Sequence, residues 1–245
     1  MKKHAGTVAL VFKTKTVLRI FAVAAVISVA VCCVFPITAA SGSPAGSFTV
    51  VIDAGHGGID GGVTGVNTGV IESELNLATA KLLREDFSAA GFNVVMTRTT
   101  SAGLYGKAMA SLKKTDMLNR KKIIEAASPV LVISLHMNKC PLPSRRGAQV
   151  FYRADDEDSS LFAECVQRQL NDMKEASREC FVLAGDYYVL NVSPCPAVLV
   201  ECGFLSNAED EKLLLTEEYR SALAYAIFKG AVAYLSACGN YPPRE

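Results

Sequence analysis

The 245-residue chain reads as an α/β protein built on a single open, largely parallel twisted sheet flanked by helices on both faces. Three observations predict it. Continuous apolar runs of strand length stand at 48–53, 130–135 and 196–200, without the polar alternation of a half-exposed strand. Segments with helical spacing of apolar residues separate these runs. Each run also ends at polar residues, as the central strands of such a sheet do where they reach a binding rim.

The chain begins with a leader. Lys2, Lys3, Lys13, Lys15 and Arg19 precede or enter an apolar run over 20–35, closed by Pro36 and the small residues 38–43. This is an export signal, and the basic flank keeps the N-terminus in the cytoplasm. Counted from 17 to 37 the segment has 21 residues, about the ~20 needed to span a bilayer. The reading therefore leans to an uncleaved N-terminal hydrophobic helix over 1–41 that anchors the exported protein in the membrane, with a cleaved signal as the alternative. Residues 42–245 form one catalytic domain, since no repeat or linker divides them and half of the whole chain is hydrophobic.

Within the domain, the strand at 48–53 runs into Asp53-Ala54-Gly55-His56-Gly57-Gly58, and a loop leads to a helix over 72–90 closed by Gly91. A strand over 92–97 follows. Residues 102–115 lack periodicity, 116–127 read as a helix stopped before Pro129, and 130–135 as the next buried strand. Residues 147–153 look like an exposed or edge strand, and 159–173 like an amphipathic helix behind the acidic residues 155–158. The strand at 196–200 precedes helices over 207–215 and 217–235.

Charge narrows the function. Without the five leader cations the body holds 20 basic residues against 24 acidic, with no basic run longer than the three residues 120–122, which argues against a nucleic-acid partner. Eight cysteines might suggest a disulfide scaffold, but Cys32 and Cys33 lie in the leader and the other six form no C-x-x-C pair. They read as mostly free, buried thiols.

The polar strand ends carry the chemistry. Both histidines of the body, His56 and His136, stand at such ends, and Glu201 follows the strand at 196–200. A lone strand-end histidine is more often structural, but two of two reverses that weighting. A catalytic zinc takes three ligands from His and carboxylate and keeps a fourth position open. His56 and His136 supply two, and Glu72, Glu74 and Glu201 are candidates for the carboxylate, with a second carboxylate free to act as base. Composition alone does not choose among them. A phosphate-cradling turn at Gly55-His56-Gly57-Gly58 is disfavoured, because the third glycine of that pattern is missing and no G-K-[ST] occurs.

The segments Val51-Ile-Asp-Ala-Gly-His-Gly-Gly-Ile-Asp60, Glu72-Ser-Glu-Leu-Asn-Leu77, Thr97-Arg98, Asn119-Arg120, Ile133-Ser-Leu-His-Met-Asn138 and Pro196-Ala-Val-Leu-Val-Glu-Cys-Gly-Phe-Leu-Ser-Asn207 together resemble the zinc-dependent N-acetylmuramoyl-L-alanine amidases of the cell-wall amidase type 3 family, over about residues 48–236. The resemblance implies one Zn2+ held by His56, Glu72 and His136, with Glu201 as catalytic base and Glu74 left on the helix surface. It implies hydrolysis of the amide between N-acetylmuramic acid and L-alanine, so that the partners are the glycan strand and stem peptide of peptidoglycan. The leader with a compact body, and the segment 111–120, look like the family's spore-cortex branch. Cys202 and Asn191 depart from the family's usual residues, and the second leaves substrate contacts open. The rival readings are a non-catalytic peptidoglycan-binding module and a stem-peptide metallopeptidase on the same fold.

Overall fold

A computed structural model describes residues 48–106, 111–176 and 178–239; the leader expected over 1–41 lies outside them. The order of elements is β1 (Thr49–Ala54), α1 (Glu72–Ala89), β2 (Asn93–Met96), α2 (Leu112–Ala127), β3 (Leu131–Asn138), β4 (Gln149–Tyr152), α3 (Glu157–Asn171), β5 (Leu183–Ala184), α4 (Tyr188–Asn191), β6 (Ala197–Phe204), α5 (Ala208–Leu214) and α6 (Glu217–Ala237). The strands form one mixed sheet in the order β2-β1-β3-β6-β4-β5. β2, β1, β3 and β6 are parallel neighbours, while β4 runs antiparallel to β6.

Strand parity decides what each face carries. Val50, Ile52 and Ala54 of β1, Leu131, Ile133 and Leu135 of β3, and Val198, Val200 and Cys202 of β6 point into the larger core, with Leu83, Phe87, Phe162 and Ile227 among their partners from α1, α3 and α6. The alternate residues Val51, Val132, Ala197 and Leu199 pack with Ile124 of α2 and with Val189 and Leu190 of α4. Following the same parity towards the carboxyl ends, this thinner face carries Asp53, Ser134, His136 and Glu201. Helices therefore lie on both faces, as expected, and the polar residues gather where the cover is thinner.

Several boundaries differ from the sequence reading. β3 continues through Asn138 and β6 through Phe204, so His136 and Glu201 sit within strands, because each extends the other's ladder past the end of the apolar run. The strand expected at an edge, β4, lies inside the sheet, since the two-residue β5 covers its outer side. α2 starts at Leu112, four residues ahead of the expectation; its first turn holds exposed Lys113 and Lys114, which give no apolar period. All six cysteines of the described residues are free, but only Cys180 and Cys202 are fully buried and Cys238 is exposed. Among the described residues no helix is long and apolar enough to cross a membrane.

Helices α3 and α6 approach closely at Gly230, where an added Cβ would stand 2.5 Å from Val166 Cα and 2.9 Å from Cys165 O. The obstacle is backbone, so the helices must part to admit a side chain. Gly230→Ala is expected to cost about 1–3 kcal/mol, read as a lower denaturation midpoint with an unchanged slope. A wild-type midpoint would show that the helices are not packed that tightly.

Candidate metal centre

The site forms where the carboxyl ends of β1, β3 and β6 meet the start of α1. Glu72 is its buried centre, 1 % exposed. Its Oε2 accepts the backbone N–H of Val63 at 2.8 Å, and its Oε1 accepts the backbone N–H of Met137 at 3.1 Å and the side-chain amide Nδ2 of Asn76 at 3.2 Å. Two imidazoles reach the same oxygen: His136 Nδ1 lies 3.0 Å and His56 Nε2 3.3 Å from Oε1. The rings meet edge to face with centroids 5.0 Å apart.

Local sequence explains why these groups can converge. The ring of His136 lies against the backbone of Gly55, where any Cβ would overlap its imidazole atoms. His56 adopts φ 61°, a left-handed conformation that costs a non-glycine residue about 1–2 kcal/mol. Its Nδ1 faces the Asp60 carboxylate at 2.9 Å, an ion contact off the line of a good hydrogen bond. Further back, the loop between β1 and α1 is pinned by the buried Glu211 carboxylate of α5, which accepts the N–H groups of Asn67 and Thr68, each at 2.8 Å.

The electrostatics fit a cation. Burial alone would raise the Glu72 carboxyl, but its contacts to His136 and His56 outweigh it and hold the group far below the usual carboxylate range. Burial would likewise lower the His56 imidazole, yet Glu72 and Asp60 raise it to about 9. Two nitrogens drawn to one desolvated carboxylate oxygen suit a divalent ion, and one ligand atom from each of His56, Glu72 and His136 lies within 4.8 Å of the other two. Borderline-soft imidazole with one carboxylate is a donor set for zinc chemistry.

Glu201 stands opposite His136 in the β3–β6 register and is 8 % exposed. Its Oε2 is buried without a hydrogen-bond partner. Burial pushes its carboxyl up to about 7, with the charge of Glu72 adding and those of His136 and His56 opposing. All four residues line one open groove of about 860 Å3, whose other walls include Lys113, Met117, Leu118, Tyr187 and Tyr188. Glu74, the other carboxylate in the first turn of α1, is exposed and outside the groove.

Sequence reasoning singled out His56, Glu72, His136 and Glu201, and the fold brings all four together. It gave no part to Asp60, Asn76 or the buried arginines Arg98 and Arg120. The arginines carried a signal, since Thr97-Arg98 and Asn119-Arg120 are among the family segments, and Arg120 lies one helical turn after Asp116, to which its Nε donates at 2.6 Å.

Fold and site together define a hydrolytic enzyme working at the carboxyl rim of an α/β sheet, with a donor set that could hold a metal ion. Residues 50–233 match the N-acetylmuramoyl-L-alanine amidase family Amidase_3, and the chain belongs to that family. It is 32 % identical over 197 residues to the germination-specific N-acetylmuramoyl-L-alanine amidase of Bacillus subtilis, covering 79 % of this chain and 82 % of that protein. In structure it is similar to the CwlD amidase of Clostridioides difficile, solved in complex with the GerS lipoprotein, with TM-score 0.75, 35 % identity, and coverage of 78 % of this chain and 100 % of that one. It is also similar to an N-acetylmuramoyl-L-alanine amidase from Clostridium difficile 630, with TM-score 0.70, 29 % identity, and coverage of 78 % and 98 %.

Gly55→Ala tests the packing that sets His136. The added methyl group overlaps the ring, so the variant is expected to fold but to bind a divalent metal ion at least about ten-fold more weakly than the wild type in equilibrium dialysis. Undiminished uptake would mean that His136 is not fixed by that contact.

Proposed function

We propose that this chain is an exported, zinc-dependent amidase that hydrolyses the amide between the lactyl group of N-acetylmuramic acid and L-alanine of the stem peptide. His56, Glu72 and His136 hold the ion, and Glu201 is the catalytic base. The observation that carries the reading is the convergence of both body histidines on the one buried Glu72 oxygen, beside an unpartnered Glu201 carboxylate.

Zinc held by these residues would supply a Lewis acid for the carbonyl and would lower the pKa of an attacking water. Glu201 takes the water's proton and then delivers it to the leaving amine of L-alanine. A buried carboxyl with one oxygen free of hydrogen bonds suits both halves of that transfer. Asn76 and the N–H groups of Val63 and Met137 keep the Glu72 carboxylate oriented. The open groove admits a glycan strand with its peptide, a substrate too bulky for an enclosed pocket.

The names of the relatives support a cell-wall setting, and the germination-specific relative supports a role in the spore cortex. The apolar leader over 1–41 would deliver the domain across the membrane and hold it facing the wall.

Two measurements test this. Incubation of the purified chain with peptidoglycan fragments is expected to release stem peptide and expose a muramoyl lactate carboxyl by mass spectrometry, with release abolished by a chelator and restored by zinc. Cleavage between amino acids instead would point to a peptidase. Glu201→Gln is expected to retain zinc while losing about 10²–10⁴-fold in turnover. If that variant loses its zinc, Glu201 is a ligand and another group is the base.

A further inference from the structure

Arg98 and Arg120 are buried, at 4 % and 1 % exposure, and their guanidinium groups are spent on the backbone around the donor set. Arg120 Nη2 donates to His56 O at 2.7 Å, and its Nη1 donates to Ala54 O at 2.8 Å and to Asp53 Oδ1 at 2.5 Å. Its Nε donates to Asp116 Oδ2. Asp53 in turn accepts the hydroxyls of Thr97 and Ser134, each at 2.7 Å, so the base of this brace is fixed on β1 and β3 and just past β2. Arg98 spans the other side, where Nη2 donates both to Gly55 O at 2.9 Å and to Ser73 O at 2.8 Å. Ser73 directly follows Glu72, and Gly55 directly precedes His56.

We propose that Arg120 and Arg98 are positioning residues of the metal site. Arg120 grips the carbonyl of His56 and holds that residue in the left-handed conformation that aims Nε2 at Glu72. Arg98 ties the same loop to the first turn of α1, which fixes the spacing between His56 and Glu72. Only a planar fork with separated donors can meet carboxylates on one side and backbone carbonyls on the other. A lysine ammonium at position 120 could answer Asp53 and Asp116 but would leave the His56 carbonyl unheld. The donor set is thus kept close to its binding geometry before any ion arrives, and affinity depends on groups that never touch the ion.

The inference rests on the proposed metal-binding role of His56, Glu72 and His136, and zinc affinity tests it separately from catalysis. In the purified metal-free chain, competition with a chromophoric chelator gives the zinc dissociation constant, and thermal melting gives stability. Arg120→Lys is expected to raise the dissociation constant about 10–100-fold. Phe162→Leu, a core change between α3 and α6 remote from the groove, is expected to lower the melting temperature while leaving zinc affinity within two-fold or so of wild type. Wild-type affinity in a folded Arg120→Lys chain overturns the proposal, and so does a Phe162→Leu chain that loses affinity in step with stability. Arg98→Lys carries the same expectation and decides the matter if Arg120→Lys does not fold. A wild-type chain that takes up no zinc overturns both this proposal and the amidase reading; one that binds zinc tightly but releases no stem peptide overturns only the latter.

Discussion

A carboxylate removed from water must be met by positive charge or by hydrogen-bond donors, and the site is organised around that need at Glu72. Its two oxygens collect backbone N–H groups from the loop after β1 and from β3, an amide from its own helix, and two imidazoles. These donors come from three separate stretches of chain. The demand of one buried group therefore ties the loop, α1 and β3 together, and the same demand leaves room for a divalent ion to replace the charge that protons supply.

Alternation along the strands places that arrangement. Because successive side chains take opposite faces, the residues that fill the larger core and those that build the polar rim come from the same strands. The larger core beneath α1, α3 and α6 holds the sheet. The thinner face under α2 and α4 carries the small apolar cluster and, nearer the carboxyl ends, Asp53, Ser134, His136 and Glu201. Burial by itself would raise the Asp53 carboxyl, but Arg120 and the hydroxyls of Ser134 and Thr97 hold it at about 2, so it stays ionised as a base for the arginine brace.

Glu72 and Glu201 show how environment gives one residue type two opposite acidities. Both are buried. Glu72 is surrounded by donors and its acidity is strengthened, which suits holding a cation. Glu201 has an unanswered oxygen and its carboxyl is raised to about 7, which suits exchanging a proton. Pairs of titratable groups pushed apart in this way mark the division between electrostatic and acid–base work.

The sequence by itself determined the fold class and the two histidines, because buried strands leave long apolar runs and the body has no other imidazole. It also carried the family motifs. The lengths of β3 and β6 were not legible, since a backbone ladder continues past the last apolar side chain wherever its neighbour does. Nor could the interior place of β4 be read, because a strand's position depends on what pairs with its far edge, here the two-residue β5. Composition left Glu72 and Glu74 equivalent in one helical turn; only the sheet beneath α1 buries the first against His136 and turns the second to solvent. Arg98 and Arg120 stood in the family segments without a role, and it is the three-dimensional meeting of β1, the end of β2 and α2 that buries them behind the site. Hydrophobic periodicity is written locally, whereas the partner of a buried charge lies far away in sequence, and only folding brings the two together.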